Sequence, residues 1–405
     1  MNIALLHYAY VPTIGGVEFV MEQHAGLFAR HGHAVKVVCG SGASDVPGVS
    51  VSEVPELGPG HEGVVRVQEE VNGGESGVCF GELKERLKER LRAELSSCEV
   101  VFVHNVMTMH FNLAATAALG ELAQELEGVR FVNWVHDLAA INPDYEFPDL
   151  GRYPWELMGE PAPGFEAVII SKKRQRQYCD LMGVRARECP VIPNGIEVLG
   201  VLKLTQHVHD FARRYGLLYA DIVMIHPTRI VRRKNVEYGI RVLAELKKLA
   251  KSCAYLVTGA PDPHNAEARE YGEELKALIQ ELDVERQFHF VSNSFRVSDR
   301  DLRHLYSISD VLFLPSRQEG FGLPLLEAGL FRIPVFCPAL EPMRSILEHN
   351  VNLFDLEDDP AQVAGRIVEV LDGSSGHRAR KEVMRNYCWE RLFNEKIEPR
   401  FFRDG

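Results

Sequence analysis

Short β-branched runs alternate with helical stretches, in two successive series, and this pattern constrains the chain more than any other feature. Runs that apolar and that short are strands buried on both faces. Interleaved with helices, they belong to parallel sheets covered on both sides. In the first half the strands fall at residues 3–7, 35–39, 100–103, 131–135 and 168–170. Helices fill the gaps, most clearly at 17–31 and 82–95, where apolar residues recur every three to four positions. Turn chemistry from Val191 through Pro193-Asn194-Gly195 to Gly200 ends that series. The second begins at 222–227 and continues through 255–258, 288–291, 311–314 and 335–336. A chain of 405 residues exceeds what one hydrophobic core serves, roughly 250–300 residues, so two series mean two domains. The expected divisions are 1–196, 197–375 and a closing helical segment 376–405. Three stretches lie outside the plan: a Gly-rich segment at 57–81, read as a mobile loop, a polar-aromatic insertion at 142–164, and an aromatic C-terminal stretch at 387–402.

Doubly wound α/β sheets bind ligands beyond the carboxyl ends of their strands, so polar residues directly after strands are the candidates. The richest such segment is Pro315-Ser316-Arg317-Gln318-Glu319-Gly320-Phe321-Gly322-Leu323-Pro324-Leu325-Leu326-Glu327, which follows a strand and opens a helix. Gly320 and Gly322 allow a ligand close to the backbone, and the amides of Phe321, Gly322 and Leu323 form an anion or polyol site at the helix N-terminus. Glu319 and Glu327 supply acceptor-only carboxylates suited to sugar hydroxyls. After the first strand of the second series comes Pro227-Thr228-Arg229-Ile230-Val231-Arg232-Arg233-Lys234-Asn235. Arg229 and Lys234 together can neutralise a diphosphate, although a basic loop taken alone does not exceed a solvated charge run. Ile14-Gly15-Gly16-Val17-Glu18 opens the first helix, without G-x-G-x-x-G spacing or a P-loop lysine. His104-Asn105 and Trp134-Val135-His136-Asp137 follow two strands of the first domain; His104 suits a core histidine and His136 a cleft.

Charge narrows the function further. With Lys+Arg 45 and Asp+Glu 57 the net charge is −12, which excludes a nucleic-acid binder working through a basic field. Any phosphate is therefore held locally. The eight cysteines are scattered, without zinc-ligand spacing, and read as reduced core thiols. The apolar run after Met1 is too short for a signal peptide and no segment approaches a membrane span, so a cytoplasmic protein is expected. Lys172-Lys173-Arg174-Gln175-Arg176 reads as a solvated helix face, with membrane contact at most peripheral. Asp299-Arg300-Asp301 matches a metal-binding D-x-D, but after Ser298 at a helix start it reads as first-turn capping, and no metal is expected.

Taken in order, Gly15-Gly16-Val17-Glu18, His136, Pro193-Asn194-Gly195, Arg229 with Lys234, and Glu319 to Glu327 resemble the retaining glycosyltransferases of family 4. The resemblance implies the GT-B fold, an α/β architecture of two doubly wound Rossmann-like domains facing across a cleft. It implies transfer of a hexosyl group from a nucleoside diphosphate sugar, of the UDP-glucose or GDP-mannose type, to an acceptor hydroxyl without a further cofactor. A soluble sugar, polyol or growing glycan is the expected acceptor; a non-catalytic nucleotide-sugar binder or a GT-B epimerase is the alternative. Under it, Glu319, Gly320, Phe321, Gly322 and Leu323 hold the donor sugar, Glu327 the ribose, and Arg229 and Lys234 the diphosphate. Gly16 lets a loop close over that diphosphate, and His136 contacts the donor sugar. Catalysis falls to Arg229, Lys234, His136 and Glu319. The acceptor falls to the first domain, with His104, Asn105, Trp134, Asp137 and Tyr145 as candidates. The segment from Tyr387 to Phe393 fits the family's helix that returns to the first domain, packing its aromatics across a hinge. Thr228 stands where the family commonly has Gly.

Overall fold

A computed structural model of the protein describes residues 1–73, 76–250, 252–259, 266–348 and 350–402. The chain forms two compact units, Met1–Glu197 with Tyr387–Gly405, and Val198–Asn386. Unit 1 holds strands β1 (Asn2–Leu6), β2 (Ala34–Cys39), β3 (Val49–Glu53), β4 (Val100–His104), β5 (Arg130–Val135) and β6 (Phe165–Ile169). Its principal helices are α1 (Gly16–Arg30), α2 (Glu62–Asn72), α3 (Val78–Leu95), α4 (Leu113–Glu125) and α5 (Lys172–Met182). Unit 2 holds β7 (Ile222–His226), β8 (Cys253–Val257), β9 (Phe288–Phe290), β10 (Val311–Phe313), β11 (Val335–Pro338) and β12 (Asn352–Phe354). Its helices are α6 (Val198–Leu202), α7 (Gln206–Arg214), α8 (Val236–Leu249), α9 (Ala266–Glu281), α10 (Asp299–Ile308), α11 (Leu323–Phe331), α12 (Met343–Ile346), α13 (Pro360–Gly373) and α14 (Ser375–Asn386).

The sheets run β3-β2-β1-β4-β5-β6 and β12-β11-β10-β7-β8-β9, and the strand pairs are parallel. Every position of β4, β7 and β8 is buried, the result of helices on both faces. In each unit the winding reverses at one place, between β1 and β4 and between β7 and β10. A crevice opens there beyond the strand ends, because the two following chains leave in opposite directions. The sequence pattern misses β3 and β12. Both are outermost strands; β3 is half exposed with alternating Val and Ser, and β12 spans three residues.

Residues 57–81 are not the mobile loop expected from their glycines. Leu57 ends a 3₁₀ turn, α2 lays Val64, Val67 and Val71 into the core, and α3 has begun by Val78; residues 74 and 75 lie outside the described residues. The valines recur at helical spacing, which outweighs flanking glycines. Along α3, Leu83, Leu87, Leu91 and Leu95 form the buried row. The same spacing brings Lys84, Lys88 and Arg92 against Glu121 and Glu125 of α4, with Lys84–Glu121 at 2.6 Å and Lys88–Glu125 at 2.7 Å.

The return to unit 1 begins at Tyr387, later than residue 376. Residues 376–386 stay in unit 2 because Lys381 of α14 is buried there, its ammonium 2.7 Å from both Asp310 Oδ2 and the Ala220 carbonyl. The amide of Val223 donates to the same Asp310 oxygen at 2.8 Å, tying the helix to β7. Beyond Tyr387, Trp389, Leu392, Phe393, Ile397 and Phe401 complete the core that Phe28, Phe102 and Trp134 begin, so these aromatics fill unit 1 and do not pack across a hinge. Gly195 sits against this return: a Cβ there would lie 2.6 Å from the Trp389 ring. Ile196 donates to the Tyr387 carbonyl at 2.7 Å, so the two chain crossings run side by side.

Replacing Lys381 with Met strips a buried carboxylate of its cation. Urea denaturation followed by far-UV circular dichroism should show a loss of about 3–5 kcal/mol; a loss below about 1 kcal/mol would show that the pair does not anchor α14.

Candidate functional site

In unit 2 the loops after β7 and β10 meet at the point where the winding reverses. β7 ends on buried His226, whose Nδ1 lies 2.7 Å from the Tyr255 hydroxyl. Burial, reinforced by the Lys234 charge, pushes its pKa down to about 3, so the ring is neutral beneath the basic loop. The structure then sorts the four cations of that loop. Arg232 is taken by Glu274 at 2.6 Å and lies 5.1 Å over the Tyr271 ring, and Arg233 donates to the Gln318 carbonyl at 3.2 Å. Lys234 reaches the other loop, its Nζ 2.5 Å from Glu319 Oε1. Ser316 Oγ donates to the same oxygen at 2.6 Å, leaving Oε2 without a partner among the described residues. Arg229 is exposed and makes no ion pair among the described residues.

Gly322, at φ 98°, is the N-cap of α11, a left-handed conformation that costs a residue with a Cβ roughly 1–2 kcal/mol. No side chain caps α11; Pro324 has no N–H and the Leu325 amide donates to the Gly322 carbonyl at 2.9 Å, so the helix start offers a ligand the Leu323 amide, with those of Phe321 and Gly322 just before it. Beside them Gly320 is exposed, and Phe321 and Leu323 stand 54% and 62% exposed, although both are large and apolar. One turn into α11, Glu327 accepts from the Tyr306 hydroxyl at 2.8 Å. Burial and that carboxylate raise the phenol's pKa, so it keeps its proton. Asp299 and Asp301 open α10: Asp301 completes a capping box with Ser298 and accepts from Thr205 Oγ1 at 2.5 Å.

One residue here escaped sequence reasoning. Gly259 follows β8 and donates to the Thr228 carbonyl at 2.8 Å; a Cβ would lie 2.3 Å from that oxygen and 2.8 Å from Arg229 Cα. The backbone carrying Arg229 is therefore seated on Gly259. Its signal in the sequence is a glycine immediately after a strand.

Unit 1 has its own pocket, of about 420 Å³, lined by Gly16, Val17, His136, Asp137, Ile170, Ser171, Lys173, Arg174 and Asn194. Asn105 shapes it from beneath. Held at φ 57°, its Oδ1 accepts the amides of His136 at 3.0 Å and Asp137 at 2.8 Å. Arg174 pairs with Asp137. Of the five residues expected to touch an acceptor only Asp137 lines this pocket: Asn105 spends its side chain on the loop beneath it, and three others lie further off. His104 is fully buried behind His136, with its Nδ1 3.2 Å from His136 Nε2, so it positions that ring. Trp134 is fully buried in the core, and Tyr145 packs on His110 at 4.5 Å and beside Phe147. An apolar strand puts alternate residues into the two covered faces, so following a strand's last residue is a stronger signal than lying within it. Lys173 and Arg174, read from sequence as a solvated helix face, line the pocket.

Four histidines cluster beside the pocket. His7 Nδ1 lies 2.7 Å from the His104 carbonyl, and the His24 ring is 5.3 Å from that of His104, 4.7 Å from Trp134 and 4.6 Å from Trp389. Burial drives His7 down to about 4, His24 and His136 to about 3, and His104 well below its usual value. All four are neutral at pH 7. Neither ring nitrogen of His24 has a hydrogen-bond partner among the described residues.

Two family models divide the chain between them: residues 14–198 match Glycosyltransferase Family 4 and residues 212–387 match Glycosyl transferases group 1. This chain is a family 4 glycosyltransferase. It is 26% identical over 268 residues to a mannosylglucosylglycerate synthase of Petrotoga mobilis, an alignment covering 60% of each chain. An uncharacterized glycosyltransferase of Methanocaldococcus jannaschii is 25% identical across 98% of this chain and 97% of its own. A D-inositol 3-phosphate glycosyltransferase of Geodermatophilus obscurus is 26% identical across 95% and 84%. A solved structure of Anabaena HepE with UDP and glucose aligns over 98% of this chain and 99% of its own, at 17% identity and a TM-score of 0.37. As a family 4 glycosyltransferase the protein has the two-domain Rossmann-like GT-B fold and uses a sugar-nucleotide donor. Among the described residues no helix is long and apolar enough to cross a membrane.

In this glycosyltransferase, Gly259→Ala must displace the Thr228–Arg229 backbone. We expect urea stability to fall by about 1–3 kcal/mol, and an unchanged midpoint would show that the loop is not seated on Gly259. The histidines make unit 1 acid-sensitive. Because they are neutral when folded, the unfolded chain binds more protons below about pH 6.5, and stability present above that pH is lost as pH falls toward the folded values. All three tryptophans lie in unit 1, so their fluorescence reports its unfolding. Between pH 7.5 and 5.5 the loss should reach about 2 kcal/mol or more. His24→Phe, which removes two unpartnered nitrogens, should raise the midpoint at pH 7 and flatten the pH slope; a steeper slope would contradict the assignment.

Proposed function

We propose that this glycosyltransferase moves a hexosyl group from a nucleoside diphosphate sugar of the UDP-glucose or GDP-mannose kind to a hydroxyl of a sugar, polyol or growing glycan, with retention of anomeric configuration. One observation carries the reading: Lys234 and Glu319, 85 residues apart in sequence, touch at 2.5 Å where the winding of unit 2 reverses. That contact sets a cation for phosphate beside a carboxylate for sugar hydroxyls. Arg229, exposed on the same loop and without an ion pair among the described residues, adds a second charge, and the start of α11, without a side-chain cap, adds a third source of positive potential.

The chemistry follows from where charge develops. Breaking the glycosidic bond to the diphosphate puts negative charge on the leaving oxygen; Lys234, held on Glu319, and the amides at the start of α11 are fixed in advance to stabilise it, and the exposed Arg229 is free to join them. The retained Oε1 contacts of Glu319 orient its carboxylate, and Oε2 is left for a donor hydroxyl. Glu327, oriented by Tyr306, takes the ribose. In a retaining reaction of this kind the leaving diphosphate helps take the acceptor proton, and the protein's part is positioning and charge stabilisation. The names of the Petrotoga and Geodermatophilus relatives, a mannosylglucosylglycerate synthase and an inositol phosphate glycosyltransferase, support a small hydroxylated acceptor.

A thermal-shift panel of UDP, GDP, ADP and dTDP tests the donor half, because a ligand binding only the native state raises the melting temperature. A shift confined to one base is expected and names the donor class; no shift in folded protein would overturn the reading. Lys234→Ala should cut turnover roughly a hundredfold or more with little unfolding, whereas near-wild-type rates in folded protein would remove Lys234 from the mechanism.

A further inference from the structure

The fold brings two of the eight scattered cysteines into contact within unit 1. Cys179 stands near the C-terminal end of α5 and Cys189 in the segment that follows it, with their Sγ atoms 3.4 Å apart. The contact is held from both sides. Gln175, one helical turn before Cys179, donates through Nε2 to the carbonyls of Ala186 at 2.9 Å and Cys189 at 2.8 Å, which fastens the segment to α5. Beyond it, the Ile169 amide donates to the Pro190 carbonyl at 3.0 Å and the Ile192 amide to the Ile169 carbonyl at 3.0 Å, so residues 190–192 pair with the end of β6. The intervening turn is fixed as well: Gly183 ends α5 at φ 66°, and Glu188 accepts the Arg185 amide at 3.0 Å and its Nε at 2.9 Å. The two thiols differ in access, Cys189 being 1% exposed and Cys179 half-buried. Burial, together with the Cys179 sulfur beside it, pushes the Cys189 thiol up to about 12, so it keeps its proton. A disulfide needs about 2 Å between its sulfurs, which leaves about 1.4 Å of approach for this pair.

We propose that Cys179 and Cys189 form a redox-responsive modification site, at which an oxidant of the hydroperoxide class closes a disulfide and a dithiol reopens it. Cys179, the accessible thiol beside a second cysteine, reacts first. Its sulfur attacks the peroxide: an S–O bond forms, the O–O bond breaks and water leaves, giving a sulfenic acid. The Cys189 sulfur then attacks Cys179 Sγ. The S–S bond forms, the S–O bond breaks, and the departing hydroxide takes the Cys189 proton away as water. The two thiols lose two electrons in all, which reduce hydrogen peroxide to two molecules of water. A dithiol returns those electrons through a mixed disulfide and restores both thiols. The bond adds a covalent link where Gln175 already supplies a hydrogen-bonded one, and it pins the far end of the helix whose first turn lines the unit 1 pocket with Lys173 and Arg174. Closing the chain between residues 179 and 189 restricts the unfolded state, so the oxidised form of unit 1 is the more stable one. The inference is independent of the donor and acceptor readings.

The test treats the full-length protein with a small excess of hydrogen peroxide, alkylates the remaining thiols and maps tryptic peptides by mass spectrometry. Peptide 177–185 joined to peptide 188–203 is expected, absent after dithiothreitol and absent from Cys179→Ser and Cys189→Ala. Tryptophan fluorescence should place the unfolding midpoint of unit 1 roughly 4 °C or more higher in oxidised wild type. Dithiothreitol should reverse that rise, and both variants should lack it. Cys79→Ser, which removes an exposed thiol outside the pair, should keep the cross-link and the rise. Recovery of the two peptides singly from oxidised wild type, whether alkylated or over-oxidised, overturns the proposal. So does a cross-link joining either cysteine to a different partner, or a Cys179–Cys189 disulfide that leaves the midpoint unchanged or lowers it. The wild-type peptide map decides the matter even where a variant fails to fold.

Discussion

A parallel strand buried on both faces leaves no room along its length for a charged side chain, and the middle of each sheet in this protein is built of such strands. β4, β7 and β8 are buried at every position and carry no ionised side chain: His104 and His226 stand at strand ends as neutral rings, and the Tyr255 hydroxyl within β8 is spent on His226. Catalytic and binding groups can therefore emerge only where a strand stops, and they converge only where neighbouring strands feed chains in opposite directions. That condition is met once in each unit, at β1/β4 and at β7/β10. The Lys234–Glu319 contact and the shaping of the His136 loop by Asn105 are both consequences of it.

Electrostatics then acts at short range. The protein carries a net charge of −12, so no broad field draws anions to it. What it offers is a few cations freed by the pairing of others. In the unit 2 loop, Glu274 and the Gln318 carbonyl absorb Arg232 and Arg233, Lys234 is held on Glu319, and Arg229 has no ion pair among the described residues. In unit 1, Asp137 absorbs Arg174 and leaves Lys173. The neighbouring histidines add no charge, because desolvation keeps their rings neutral at pH 7. The C-terminal return has a different task. Its aromatics close the unit 1 core around His24, so a segment remote in sequence contributes to the packing behind His136.

Much of the architecture was legible because periodicity is local. The strands at residues 100–103 and 222–227, the helix at 82–95 and the turn at Pro193-Asn194-Gly195 are written in composition and spacing over a few residues. So was the α11 turn, where Glu319, Gly320 and Gly322 stand in the pattern that a strand-to-helix ligand loop requires. Edge strands β3 and β12 were not legible, since an outer strand needs only one covered face and need be only three residues long. Residues 57–81 misled because glycine signals freedom locally, whereas Val64, Val67 and Val71 find partners only once α3 is in place.

By itself the sequence determined most of the elements, their alternation and the family, because these depend on neighbours within a few turns of chain. Only the tertiary structure decided which of several like residues is available to a ligand. Lys172, Lys173 and Arg174 are indistinguishable as a basic run, and Arg229 looks no different from Arg232; a carboxylate tens of residues away makes the distinction. It also decided that His104 stands behind His136 and not beside the ligand, and that Gly259 is the seat of Arg229. Pairing, burial and close backbone approach are properties of three-dimensional distance, and residues far apart in sequence come within 3 Å only after the sheets have formed.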